Sequence, residues 1–257
     1  MRLTRLVDDA YRGLNRGRRL KSQEGDPIFS LDDLAERVGC RPSRAEVEEL
    51  LPPDPGTLER LLMSGPGRGY QIIWGHLSSI AAERSPEPLR LPARDYAGLG
   101  LSRGGIILEG EGESVDHVGE RMSGGRIYLH QGAGDYLGQE MTGGGVITAG
   151  VGNYAFRRMS GGWGVIRGEG GNFLALGSSG GRVVCQGGCG ERAGWLMSGG
   201  SLRIHGDAGD YLGLLMKGGR ITIFGRAGRR AGWRMKGGTI RGREFGPEAA
   251  DGVLGLD

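Results

Sequence analysis

Short runs of alternating apolar and polar residues recur along most of the chain. They read R-I-Y-L from Arg126, S-L-R-I from Ser201 and R-I-T-I from Arg220, and in each run the second and fourth residues are apolar. This period of two predicts short β-strands that bury one face. A strand of four residues cannot bury its apolar face alone, so the runs must pack against one another.

Each run follows a pair of adjacent glycines, and these pairs divide the chain into copies of one unit. Successive pairs are 19 residues apart five times, 20 apart once and 18 apart once; they begin at Gly104, Gly124, Gly143, Gly161, Gly180, Gly199, Gly218 and Gly237. A fixed period near 20 residues is typical of a solenoid. The leucine-and-asparagine frame of leucine-rich repeats and the strict triplet of collagen are both missing. The sequence therefore predicts a mainly β protein, a right-handed parallel β-helix of seven to eight coils of about 19 residues.

Stacking the coils places residues 19 apart in columns with strand spacing, about 4.8 Å. One predicted column contains Met122, Met141, Met159, Met197, Met216 and Met235. A second contains Asp or Asn followed by an aromatic residue, at Asp95-Tyr96, Asp135-Tyr136, Asn153-Tyr154, Asn172-Phe173 and Asp210-Tyr211. We interpret the methionines as apolar filler at a corner rather than as a soft-metal site. The Asp and Asn residues suit a tight bend.

The repeated corner M-[ST]-G-G-x-[IV], with G-D-A-G-D-Y-L-G from Gly206 and G-R-A-G-R-R-A-G from Gly225, resembles a known family. It is similar to the glycine-rich β-helix shared by one subunit of formylmethanofuran dehydrogenase, by its counterpart in the bacterial formyltransferase/hydrolase complex, and by the C-terminal domain of the glutamate synthase large chain. The resemblance covers residues 95 to 246. It implies a scaffold domain whose catalytic partners are other subunits or domains.

Residues 1–94 have a different pattern, and we expect them to form a helical cap over one end of the solenoid. Apolar residues from Leu3 to Leu14 have helical spacing, Ser30 and Ser43 are typical helix N-caps, and further helices are predicted over residues 56–63 and 72–83. Pro86, Pro88 and Pro92 indicate an extended connector to the solenoid. Residues 247–257 are expected to be a tail covering the opposite end.

The segment from residue 30 to 51 also has the outline of a helix-turn-helix motif. Its second helix would bring Glu46, Glu48 and Glu49 toward the phosphates of DNA, which is electrostatically unfavourable. We therefore favour a plain helical hairpin, and a DNA-binding regulator is the weakest of the functional alternatives.

Charge and composition narrow the functional classes. The formal net charge is +3, spread evenly between residues 1–94 and the rest, so we expect no nucleic-acid partner. No apolar run approaches the roughly 20 residues of a membrane helix, and Asp8-Asp9 follow the first residues in place of the apolar core of a signal peptide. We expect a cytoplasmic location and no membrane contact.

The chain contains few residues arranged for catalysis or metal binding. Cys185 and Cys189 fall at small core positions, and with the distant Cys40 they supply too few ligands for a metal. The four histidines, His76, His117, His130 and His205, form no pair. The G-S-S-G-G segment around Ser179 matches a nucleophile elbow only as one more copy of the repeated corner. We expect no catalytic, cofactor-binding or metal-binding residues and no cofactor.

The repeat is least regular in its middle coils. One residue is deleted between Met141 and Arg158, Phe156 replaces a recurring glycine, and the next coil has Ala175 for glycine and Ser178 for methionine. Drift compensated by packing is the simpler interpretation. The alternative is an enzyme or small-ligand binder that uses the irregular coils around Phe156 and Ser179, because broken local rules often mark functional sites.

Six arginines fall in or just after the second bend of their coils: Arg157, Arg158, Arg192, Arg229, Arg230 and Arg234. Stacking should gather them along one edge, where they could dock an acidic partner. The leading hypothesis is a non-catalytic scaffold subunit that organises partner proteins of a multi-subunit enzyme. The sequence is also compatible with a homo-oligomer.

Overall fold

A computed structural model describes residues 30–52, 54–64, 69–110 and 114–255. The chain is a mainly β protein built as a parallel β-solenoid of about eight turns, which confirms the predicted fold class. The helix predicted from Leu3 to Leu14 lies outside the described residues.

In the described residues, four helices precede the solenoid: α1 (Leu31–Val38), α2 (Arg44–Leu50), α3 (Pro55–Ser64) and α4 (Gln71–Arg84). Ser30 and Ser43 cap α1 and α2 as predicted, and each forms a reciprocal capping box with the acidic residue three positions later. None of the helices in the described part of the chain has the length and apolar composition needed to cross a lipid bilayer.

One parallel sheet runs the length of the solenoid, and its strands follow the order of the chain. The strands are β1 (Leu89–Pro92), β2 (Gly105–Glu109), β3 (Ser123–Leu129), β4 (Gly143–Thr148), β5 (Trp163–Ile166), β6 (Arg182–Cys185), β7 (Ser201–Ile204), β8 (Arg220–Ala227), β9 (Thr239–Phe245) and β10 (Val253–Gly255). The sheet therefore begins inside the proline-containing connector and continues into the tail.

The strands pair in the register that the 19-residue spacing predicts. Leu202 pairs with Ile221 and Ile204 with Ile223, and all four side chains are buried. In the methionine column, the Lys217 amide donates to the Met197 carbonyl, as the register requires.

Five of the six column methionines are fully buried, as predicted, but Met235 is only partly buried because it lies in the last complete coil. Ser178 occupies the methionine place in its coil, and its hydroxyl donates to the Phe156 carbonyl at 3.0 Å.

The segment before each glycine pair is a run of overlapping turns in which every second residue has positive φ. In one coil these residues are Tyr211 (62°), Gly213 (67°) and Leu215 (53°). The Leu214 amide donates to the Tyr211 carbonyl and the Met216 amide to the Gly213 carbonyl, so each turn begins at the third residue of the previous one. Glycine meets this requirement without strain, which explains its recurrence at the middle place.

Side-chain oxygens of Asp and Asn connect neighbouring coils at the start of these turns. Asp135 Oδ1 accepts from the Asn153 amide at 2.6 Å, and Asn153 Oδ1 accepts from the Asn172 amide at 3.1 Å. The same contact joins Asp95 to Asp116, Asp116 to Asp135, Asn172 to Glu191 and Asp210 to Arg229. These residues do more than tolerate a bend, because each one satisfies a backbone donor of the next coil.

Helix α4 replaces the missing neighbour of the first coil. The Gly119 amide of the second coil donates to the Ala97 carbonyl of the first coil. The equivalent Gly98 amide instead donates to the Ser78 hydroxyl at 2.9 Å, and the Ser79 hydroxyl donates to the Leu99 carbonyl at 2.8 Å. The helix thus satisfies backbone groups that the end of a solenoid would leave unpaired.

Met216→Lys should be severe because it would place a charge without a partner at a fully buried position. We expect a loss of about 4 kcal/mol or failure to fold, against less than about 1.5 kcal/mol for Met216→Leu. Urea denaturation followed by circular dichroism measures both. Met235→Lys is the matched control and should be much milder; equal effects at the two positions would contradict the register.

Candidate functional site

The six arginines predicted to form one docking edge lie on the turn run of their coils, but they occupy four different columns. Arg192 and Arg230 share the column of Tyr211, and Arg158 and Arg234 share that of Leu215. The remaining two each occupy a column of their own: Arg229 follows Asp210 and Arg157 follows Gln139. The turns therefore bring the arginines to one side of the solenoid without placing them in a single row.

Two of these arginines are held by a carboxylate of the C-terminal tail. Arg229 Nη2 and Arg230 Nε donate to the two oxygens of Glu248 at 2.8 and 2.7 Å. Hydrogen bonds from Arg229 first, and then from Arg230, lower the pKa of Glu248. Both arginines are already paired within the chain.

The middle of the solenoid contains weaker contacts. Arg158 Nη1 donates to Glu140 Oε1 at 3.1 Å, and Arg157 Nη1 donates to the neutral Gln139 at 3.0 Å. Arg234 is exposed and contacts no carboxylate among the described residues. The exposed pair of Arg158 with Glu140 contributes about 1 kcal/mol or less, so a partner could displace it.

A ladder of stacked side chains follows one column of the turns, with one member from each coil: Tyr96, His117, Tyr136, Tyr154, Phe173, Arg192, Tyr211 and Arg230. The first five rings stack almost parallel, with centroids 4.5 to 5.1 Å apart. The Arg192 guanidinium then lies 5.6 Å from the Phe173 ring and 5.5 Å from the Tyr211 ring. Arg192 is therefore a member of the stack as well as an ion-pair partner of Glu191.

The irregular coil has a packing explanation. Phe156 is fully buried, and a Cβ on Gly164 would lie 2.1 Å from Phe156 Cζ. Gly164 occupies the inward strand position that holds Val146 in the preceding coil and Val183 in the next. The Phe156 ring thus fills the space that a strand side chain fills elsewhere, and the interior of this coil is occupied.

Ser179, the centre of the elbow-like segment, is exposed on a corner. Its amide donates to the Met159 carbonyl, just as the equivalent Lys217 amide donates to the Met197 carbonyl. In the described ranges no histidine or carboxylate is hydrogen-bonded to its hydroxyl. The structure gives this serine the environment of a turn residue.

The cysteines and histidines lie at separate places. Burial raises the pKa of the Cys185 thiol to about 11 and that of Cys189 further, so both thiols stay protonated near neutral pH. His117 belongs to the ring ladder, and its Nδ1 lies 2.6 Å from Glu120 Oε2. Within the described residues, no three His, Cys, Asp or Glu side chains are grouped to hold a metal ion.

The exposed side of α2 is acidic, as the sequence indicated. Glu46, Glu48 and Glu49 are exposed, while Val47 is buried and Arg44 pairs with Glu83 on α4. Arg44, the basic residue of α2, therefore contacts α4 and does not extend from the exposed side of α2. This arrangement is that of a packed helical hairpin and does not favour the DNA-binding alternative.

The outward face of the sheet carries an unexpected concentration of positive charge. We call this surface, between β3 and β9, the basic face; its arginines are Arg126, Arg167, Arg182, Arg203, Arg220, Arg241 and Arg243. All seven are exposed, and none forms an ion pair with a carboxylate in the part of the chain that the structure describes. Reasoning from the linear sequence missed this face, because the arginines come from six different coils.

A shallow groove of about 540 Å³ crosses the basic face over β5 to β7, and it is lined by Gly162, Trp163, Gly164, Val165, Gly181, Arg182, Val184 and Ser201. The Trp163 ring lies over Gly145 of the neighbouring strand, where a Cβ would come within 2.2 Å of the ring. A smaller concavity of about 300 Å³ lies between Asp207, Arg226, Arg229 and Pro247. Its two aspartates, Asp207 and Asp210, bind backbone amides of the next coil.

A scan of protein-family models gives no match to this chain, and a search of curated protein sequences gives none.

A double-mutant cycle tests whether Phe156 fills the space at Gly164. Phe156→Gly alone should lose about 3 to 5 kcal/mol by opening a cavity, and Gly164→Val alone should lose about 1 to 3 kcal/mol by overpacking. The double variant has a small residue at position 156 and a strand side chain at position 164, as the other coils do. Its loss of stability should be smaller than the sum of the two single losses by at least about 2 kcal/mol. Simple additivity in chemical denaturation would contradict this account of the irregular coil.

Proposed function

We propose that this protein is a non-catalytic scaffold subunit that organises catalytic partner proteins. One observation carries the proposal: the polar side chains of the coils are used to hold neighbouring coils together. The Asp and Asn oxygens accept backbone amides, the turn rings stack on one another, and the irregular coil is filled by Phe156. These polar groups are therefore occupied within the stack of coils, and arginines of the turns and of the strand face remain at the surface.

The resemblance of the repeated corner supports a particular class of partner. In the glycine-rich β-helix family, this domain accompanies the catalytic units of formylmethanofuran dehydrogenase, of the formyltransferase/hydrolase complex or of glutamate synthase. We infer a comparable role here, in a cytoplasmic complex. The helical segment before the solenoid departs from that family.

We further propose that the turn arginines contribute to docking. Arg157, Arg158 and Arg234 suit this role best, because their contacts within the chain are weak or neutral. Arg229 and Arg230 would first have to leave Glu248. The planar guanidinium group binds carboxylates through two parallel hydrogen bonds, so an acidic partner surface is the expected counterpart.

The scaffold proposal predicts that the protein is part of a larger assembly. The tagged full-length chain, purified from its source cells at low salt, should elute well above its own mass of 27.3 kDa and carry enzyme subunits of fixed stoichiometry. Reversing Arg157, Arg158 and Arg234 to glutamate should weaken that assembly and make it more sensitive to salt.

The three corresponding lysine substitutions are the matched control, because they retain the charge and should retain most of the assembly. Thermal unfolding should show both variants folded, since surface changes usually alter stability by about 0.5 kcal/mol each. Recovery of the chain alone at every salt concentration would contradict the scaffold proposal. If the glutamate variant assembles as the wild-type chain does, the turn arginines do not contribute to docking.

A further inference from the structure

The charge pattern of the basic face differs from that of the rest of the surface. The basic face combines seven arginines with no aspartate or glutamate among the outward residues of β3 to β8. In β9, Glu244 lies beyond the bulge and pairs with Arg226. On the turn side, by contrast, a carboxylate contacts each of Arg158, Arg192, Arg229 and Arg230. Repulsion among the unpaired arginines is uncompensated within the described residues, so a negatively charged partner would relieve it.

The middle of the basic face is apolar. Ile147, Val165 and Val184 are successive members of one outward column, and Trp163 lies beside them in the groove. All four are half-buried, and Arg167, Arg182 and Arg203 surround them. An apolar centre with a polar rim is the usual anatomy of a protein interface, and Trp and Arg are enriched among the few residues that contribute most of the binding energy.

Three other occupants fit the basic face less well. Residues 1–29 contain seven Lys and Arg against four Asp and Glu, so this segment has the same sign of charge as the face. Two copies packed face to face would oppose one set of arginines to another. The Tyr128 ring is covered by Arg167 and the Phe224 ring by Arg203, so neither ring is open to stack on the bases of a single-stranded nucleic acid.

We propose that the basic face is the docking site for a partner protein whose apolar centre is surrounded by aspartate and glutamate. This inference rests on the proposed scaffold function and assigns its principal contact surface. The seven strands span about 30 Å by 15 Å. The area of this surface is about half of the roughly 800 Å² that each partner of a stable complex buries. The partner must therefore also contact the flanking corners, where Lys217 and Lys236 are exposed and extend the positive surface.

Site-specific photo-crosslinking tests this assignment in the full-length chain. A benzophenone amino acid is placed at Val184, in the centre of the basic face, or at Leu196, which is 37% exposed on the turn side. Each variant is produced in the source cells and irradiated, and the crosslinked peptides are identified by mass spectrometry. We expect Val184 to capture one protein, at an apolar segment flanked by acidic residues.

The second step uses that identified protein in purified form. Arg182, Arg203 and Arg220 are changed together to glutamate or, as the matched control, to lysine. We expect the glutamate variant to lose at least about 100-fold in affinity, and this loss should become smaller as the salt concentration is raised. The lysine variant should lose less than about tenfold. Equal affinities for the wild-type chain and the glutamate variant would overturn the inference.

The crosslinks also separate failure of this inference from failure of the scaffold proposal. Protein crosslinks at Leu196 without any at Val184 would leave a scaffold that docks through its turns, and would refute the basic face as the docking site. Capture of nucleic acid or of a second copy of the chain at Val184 would refute the acidic protein partner. An absence of protein crosslinks at both positions would refute the inference and the scaffold proposal together.

Discussion

The positive φ of every second residue in the turn run is the constraint on which the rest of the structure depends. It lets the chain reverse direction within a few residues while its amides reach carbonyls of adjacent coils. The Tyr211 amide, for example, donates to the Arg229 carbonyl, and the Gly213 amide donates to the Ala193 carbonyl on the other side. Large side chains at φ near 60° are strained, and the hydrogen bonds and ring stacking between coils offset that strain.

The same constraint separates the inside of the solenoid from its outside. Each coil repeats its neighbour, so equivalent residues of successive coils have the same environment. A residue type that suits one coil therefore recurs along the whole column. Inward columns are filled with Met, Ile, Leu and Val, and polar columns bind the backbone of the next coil. Only the strand face and the tips of the turns can vary without disturbing the stack. The unpaired arginines of the basic face and the weakly paired arginines of the turns lie at those variable positions.

The sequence predicted much of this fold because the repeat itself is visible in the spacing of glycine pairs and methionines. The capping residues Ser30 and Ser43 were also readable, since capping depends on neighbours only three residues away. Compensation between Phe156 and Gly164 was not readable, because it requires knowing which side chain enters which space. The basic face was hidden for a similar reason: arginines on separate strands form one surface only when the strands are in register, and their lack of carboxylate partners depends on side-chain geometry.

Native-state hydrogen exchange of the isolated chain tests the central claim, that hydrogen-bonded turns hold the coils as one rigid body. The amides of Asn153, Glu191 and Arg229 are bound by side-chain oxygens of the preceding coil, at 2.6 to 2.8 Å. They should exchange as slowly as the strand amides of β6 and β7, through global unfolding alone. Fast exchange of these turn amides beside protected strands would show that the turns are ordinary loops, and would contradict the account.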